Sequence, residues 1–347
     1  MQKRALFLFF IIFIIYLDTG VVFATPKNKK KTEQIIENKI YGFLIGSAIG
    51  DALGGPDEKF AMNYEELLNT FLIKAYSKNK RFVIEDFKDY YNNPAMHSVF
   101  EKNAKKGTYT DDTRLKLLVA YAIAESDGHF TTKKLAQAFI DRHKKAKPGG
   151  LEHQWLDEYA LASRIAAEGC KPDAGRCTNS TLNRLWGGLI GCVGLMSITP
   201  MAILHIGDIK GAYLDGYEKD YFDIGYAKDL TALAVSIMSL ALSPDYSLED
   251  EDKENFEPFS EVLNYDPYNY SKAQMFGRFA INYIRGRAYP LANSNRNKGL
   301  PSLYKDFYKS LSRDFVCDPL EILSVALGII CYTRGDTVES ILIAVNY

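Results

Sequence analysis

Cysteine and histidine are both scarce in this chain, and each scarcity closes off a class of protein. Five cysteines in 347 residues are too few for a disulfide scaffold. No C-x-x-C and no Cys/His cluster has the spacing of a zinc site. The histidines (His97, His129, His143, His153 and His205) are scattered, so no His-centred site is indicated. Neither sign of charge prevails: 42 Lys and Arg against 43 Asp and Glu leave a formal charge of −1. No global basic field therefore draws in nucleic acid or an anionic membrane. Strand-like alternation between Gly/Asn turns is hard to find. What is present is a well-packed composition, 47% hydrophobic and 13% aromatic, which excludes disordered, collagen-like and low-complexity chains.

The single long apolar run lies at the start. Lys3 and Arg4 precede Ala5–Tyr16, and Val22-Phe23-Ala24 follows with small residues at −3 and −1 of a break after Ala24. That pattern predicts a secretory signal peptide over residues 1–24. Twelve continuous apolar residues fall short of the ~20 that cross a bilayer. The reading is export to a secreted or periplasmic location, with no stable membrane insertion after cleavage. Residues 25–33 read as a basic linker and 34–347 as one domain. Export would let Cys170 and Cys177, which bracket a turn-rich stretch, pair. Cys192 and Cys331 sit in apolar runs and read as buried thiols, and Cys317 lies just before a helix start.

Elsewhere the periodicity is helical. Leu115, Leu118, Val119 and Ala122 recur at i, i+3, i+4 and i+7, and so do Leu230, Leu233, Ala234, Ile237 and Ala241 over three turns. Asp318, Pro319 and Glu321 form an N-terminal signature ahead of Leu320, Leu323 and Leu327, and Thr131/Thr132 opens another helix. The fold expected is all-α: one domain of about a dozen helices. Residues 245–268, acidic and Pro-containing, read as a solvated loop, and 286–301, rich in Gly, Asn and Pro, as a long surface loop.

Two acidic clusters carry the chemistry. In the first, Gly50-Asp51-Ala52-Leu53-Gly54-Gly55-Pro56-Asp57-Glu58 closes an apolar helix from about Ile35 to Ile49. Its glycines let backbone approach a ligand closely, although an ordinary helix C-cap explains it too. The second is Thr108-Tyr109-Thr110-Asp111-Asp112-Thr113, ahead of the Leu115 helix. It reads either as an N-cap with two acids facing the positive helix end or as a hard-cation site. In the latter, a hydroxyl and two carboxylates supply the oxygens that Mg²⁺ prefers.

In order along the chain, GFLIGSAIGDALGGPDE, then TYTDDT, then Trp186-Gly187-Gly188 running into Gly191–Pro200 resemble the ADP-ribosylglycohydrolase family, from about Lys39 to Tyr347. The resemblance implies a single all-α domain and a magnesium-dependent hydrolase that removes ADP-ribose, or a related riboside, from its acceptor. Thr110, Asp111 and Asp112 match the family's first metal motif, whose members hold two Mg²⁺ ions. Glu58 matches an acid near the metals with a catalytic or gating role, and Asp51 has a supporting role. Asp51, Gly54, Gly55, Gly191, Gly194 and Met196 fall in the stretches that line the substrate cleft. The partners implied are an ADP-ribosylated protein or an ADP-ribose-like small molecule.

One departure tempers this. Family members end in a second motif, Gly-x-Asp-x-Asp-Thr, that completes both metal sites. Here Gly335-Asp336-Thr337 matches it only superficially, and Val338, Ile341, Leu342 and Val345 read as the amphipathic helix that often precedes it. On that alignment the sequence is C-terminally truncated and the second metal site is doubtful. An inactive relative that binds ADP-ribose-like ligands stays open as an alternative, as does a secreted helical interaction protein.

Overall fold

Apolar side chains recurring every three to four residues do wind this chain into helices that bury those stripes against one another. The computed structural model describes residues 26–54, 107–168, 190–248, 256–272, 277–313, 317–345 and 347. Among them there is no strand. The helices are α1 (Pro26–Gly54), α2 (Asp111–Ala124), α3 (Thr132–Lys145), α4 (Leu151–Glu168), α5 (Val193–Ser197), α6 (Ile209–Lys219) and α7 (Tyr226–Leu242). They continue with α8 (Ser260–Asn264), α9 (Phe279–Tyr283), α10 (Tyr289–Asn295), α11 (Leu300–Leu311), α12 (Pro319–Thr333) and α13 (Thr337–Val345). The all-α expectation holds.

The centre is built on α7 and α12, which pack against each other. Leu230, Leu233, Ala234, Ile237 and Ala241 are all buried, as their spacing requires. Burial extends well beyond one stripe, however: Ala232, Val235, Met238, Ile322, Val325 and Ile329 are buried too. A helix apolar all round is a core helix rather than a surface one. Around this pair, α3 and α4 form an antiparallel hairpin, α6 lies on α7, and α2 contacts α1, α3 and α5. The helix starts follow the sequence. Thr131 accepts from the Lys134 N–H at 3.2 Å, and Asp318 accepts from the Leu320 N–H at 2.9 Å. Each satisfies one of the N–H groups that a helix start leaves free.

Four expectations are corrected. The basic segment read as a linker is helical, since α1 starts at Pro26 and runs unbroken into Asp51. Gly50 therefore does not stop it, and tertiary packing of Phe43 and Ser47 overrides a single weak helix former. Residues 286–301 are not a surface loop. A π turn (Ile284–Ala288) leads straight into α10, and α11 begins at Leu300. Pro290 is accommodated directly after that π turn, inside continuous helix. Tyr289 is buried there and donates its hydroxyl to the Pro258 carbonyl at 2.6 Å. The described part of 245–268 is likewise not simply solvated: Leu248, Phe256, Phe259, Val262 and Leu263 are all buried. Finally, α13 is a helix as expected, but Val338 is 66% exposed and the buried face is Ser340, Ile343 and Ala344.

Candidate functional site at the start of α2

The last turn of α1 and the first turn of α2 meet through one carboxylate. Asp51 is fully buried and accepts three hydrogen bonds: from the Thr110 N–H at 2.9 Å, the Thr110 hydroxyl at 2.6 Å and the Thr113 N–H at 3.0 Å. Asp51 thus caps α2 from outside, placing negative charge at the positive helix end. Burial raises its pKa, against the lowering effect of these hydrogen bonds. Thr110 spends its hydroxyl proton on Asp51, and its oxygen faces the Asp112 N–H at a long 3.4 Å.

Asp112 is buried and Asp111 half-buried. One turn on from Asp112, the buried ammonium of Lys116 donates to the Ser47 hydroxyl at 3.0 Å and lies 5.4 Å from the Phe43 ring centroid. Burial pushes the Lys116 pKa well below its usual value, while Asp112 and Asp51 pull it back up. Ser47 and Asp51 are four residues apart on α1, as are Asp112 and Lys116 on α2, so each pair shares a helix face. That spacing was the available signal for Lys116 and Ser47, which sequence reasoning missed.

A second acidic pair was missed as well. Asp220 and Asp223, both buried, follow α6. Asp223 accepts from the Gly194 N–H at 2.8 Å, and the Asp223 N–H donates to Asp220 at 3.1 Å. Burial raises both, and for Asp223 the charge of Asp220 adds to it. The buried ring of Tyr159 joins the two pairs. Its pKa is raised first by burial and then by Asp111, Cys192, Asp112 and Asp223. The acids of α2 and Asp223 therefore act electrostatically on the same buried ring. The Cys192 thiol is pushed up chiefly by its hydrogen bond with Cys317, then by burial, with Asp223 and Asp112 contributing.

On its outer side the start of α2 opens into a cleft of about 670 Å³ between α2, α3 and α4. Asp111, Tyr109, Arg114, Arg142, Lys145 and Trp155 are among its lining residues. The Arg114 guanidinium lies 5.0 Å from the Trp155 ring centroid and 5.9 Å from that of Tyr109. The cleft thus sets cationic and aromatic side chains beside Asp111 of the acidic motif and the carboxylates of Glu125, Asp141 and Glu152, the last paired with Arg142.

The remaining predicted residues divide clearly. Gly54 is buried at the end of α1. Gly191 and Gly194 border the Asp220/Asp223 pair: a Cβ at Gly194 would collide with the Asp220 carboxylate and the Thr231 hydroxyl, and one at Gly191 would sit 3.0 Å from Asp223. These glycines make room for buried acids. Met196 is buried in the core, with its sulfur 3.9 Å from that of Cys192. Gly55, Glu58, Trp186–Gly188, Cys170 and Cys177 lie outside the described residues. Cys192 and Cys331 are buried free thiols, as expected.

A helical domain with an acid-rich junction of two helix ends beside a cleft defines the class. Within it, the ADP-ribosylglycohydrolase family model matches residues 32–347, and the chain belongs to that family. Searches of curated proteins and of solved structures returned no match.

Proposed function

We propose that this protein is a divalent-cation-dependent hydrolase, using Mg²⁺, that cleaves the bond between ADP-ribose, or a related riboside, and its acceptor. Family membership supports the class of reaction. The observation that carries the finer reading is Thr110-Asp111-Asp112 at the α2 terminus, with Asp51 fixing Thr110 and Asp111 opening onto the cleft. These residues fit a hard cation. The Thr110 hydroxyl gives its proton to Asp51, which leaves oxygen lone pairs to offer, and two carboxylates stand beside it. Thr110, Asp111 and Asp112 would hold the ion, which supplies Lewis-acid polarisation and a water of lowered pKa. Asp51 holds Thr110 in place. Arg114 with Trp155 and Tyr109 presents stacking surface suited to an adenine ring, and Arg114 and Lys145 supply positive charge for a diphosphate, while Arg142 is paired with Glu152 of the same cleft. Glu58 is proposed as the acid near the reacting centre on the sequence motif alone.

The test is incubation of the purified protein with an ADP-ribosylated protein, with Mg²⁺ or with excess chelator, measuring released ADP-ribose by mass spectrometry. Release that needs Mg²⁺ and falls at least about a hundredfold in Asp111→Ala and Asp112→Ala is expected. One observation favours binding without turnover instead: the ammonium of buried Lys116, one turn from Asp112 and bonded to Ser47 of α1, already feels the charges of Asp112 and Asp51. Ligand binding with no release in any metal would decide for that second reading. Export is proposed from residues 1–24, and an exported protein whose first residue is Thr25 by N-terminal mass spectrometry is the expected outcome. Among the described residues no helix is long and apolar enough to cross a membrane.

A further inference from the structure

At the closed end of the α3–α4 hairpin, three potential ligands converge far from the acidic motif in sequence and differ from it in chemistry. His143 stands in the last turn of α3, and His153 in the first turn of α4. Asp157 follows His153 by four residues, so the two share a helix face. His143 Nε2 lies 2.6 Å from Asp157 Oδ1 and His153 Nδ1 lies 3.3 Å from that oxygen. The rings are 4.2 Å apart at their centroids. Among the described residues this is the one group of three or more His, Cys, Asp or Glu side chains whose ligand atoms all fall within 4.8 Å of one another.

We propose that His143, His153 and Asp157 form a binding site for a borderline transition-metal cation, with Zn²⁺ as the representative, that clamps the α3–α4 hairpin. The geometry carries this. Zn–N and Zn–O bonds of about 2.0–2.2 Å put neighbouring ligand atoms in a tetrahedron roughly 3.3 Å apart, close to the separations of the two imidazoles from Asp157, and all three ligand atoms already lie within 4.8 Å of one another. Two imidazoles and one carboxylate are a donor set for zinc, nickel or non-haem iron, not for magnesium, which takes oxygen. The two imidazole side chains are 12% and 25% exposed, so packing restricts them, while Asp157 at 53% leaves an entry path and a position for water.

Arg164 supplies the discriminating test. Its Nη2 lies 3.4 Å from His143 Nδ1, so without metal that nitrogen can accept while Nε2–H donates to Asp157. Ligation through Nε2 moves the ring proton to Nδ1, where it faces the N–H of Arg164. Exposed Arg164 must then swing away, and its positive charge opposes the incoming cation. Removing Arg164 should therefore tighten metal binding, an effect with no reason to occur if the histidines merely pair with Asp157.

The experiment is calorimetric titration of Zn²⁺ into the metal-stripped full chain in excess Mg²⁺, with Co²⁺ absorption as a second readout of nitrogen ligation. One Zn²⁺ per chain is expected to bind, with affinity lowered roughly tenfold or more in His143→Ala, His153→Ala and Asp157→Asn, and raised in Arg164→Gln. No Zn²⁺ binding by the wild type, or binding that the two histidine variants leave unchanged, overturns the proposal. Because none of the four side chains is part of the buried core, each variant's helical circular dichroism is expected to match the wild type, which separates loss of ligand from loss of fold.

Discussion

Asp51 shows how much one buried side chain can govern. It serves two backbone N–H groups and a hydroxyl of the neighbouring element, so Asp51→Ala leaves all three without their acceptor. The expected cost is about 2–4 kcal/mol, read from the shift in urea midpoint, with Asp51→Asn milder because one acceptor oxygen survives. The Asp220/Asp223 pair makes a prediction about pH. Both carboxylates are raised in the folded state by burial, and Asp223 further by Asp220. A carboxylate raised on folding contributes its stability below the unfolded value of about 3.9, and that contribution is lost as pH rises through the folded value. The wild type should therefore gain melting temperature from pH 7 to pH 5, and Asp223→Asn should gain less. Equal slopes would mean that the pair is not ionised as described. Asp51 and Thr110 were legible as residues of interest from glycine-rich and acidic motifs. Lys116 and Ser47 were not, because a four-residue spacing on each of two helices becomes a contact only once those helices meet.

Element boundaries were set by local chemistry where a cap or a proline marked them. Thr131 and Asp318 behave as their sequence context requires, because a side-chain oxygen next to free N–H groups is a local interaction. The failures occurred where composition suggested loop and packing imposed helix. In α10, the apolar Tyr289 and Ala292 outweigh the neighbouring Asn, Ser and Pro residues because they fill the core. The packing of α12 is equally demanding. A Cβ at Gly328 would come within 2.7 Å of the Phe307 ring and 3.3 Å of Ala288. Gly328→Ala is thus expected to destabilise by about 1–3 kcal/mol despite the better helix propensity of alanine. A melting temperature equal to or above that of wild type would show that α11 can withdraw without penalty.

For the molecule as a whole, one buried ionic network ties the helices around α7 together. Arg278 donates to Asp229 through Nε at 3.0 Å and Nη2 at 2.7 Å, the Tyr213 hydroxyl donates to the same carboxylate at 2.5 Å, and Arg278 also reaches the Leu263 and Tyr265 carbonyls. Arg278→Met would leave a buried carboxylate without its cation, at an expected cost of about 3–5 kcal/mol in chemical denaturation. A much smaller loss would mean that Asp229 takes up a proton and stays neutral. Helical class, the main core stripes and the acidic motif at α2 were determined by sequence alone, since periodicity, caps and adjacent carboxylates are local properties of a chain. The tertiary structure alone decided which charges act on the same groups: Asp51 on Lys116, Asp111, Asp112 and Asp223 on Tyr159, and the two histidines on Asp157. Those groups stand between four and more than a hundred residues apart, and only the packing of helices, driven by burial of their apolar faces, brings such separations within electrostatic reach.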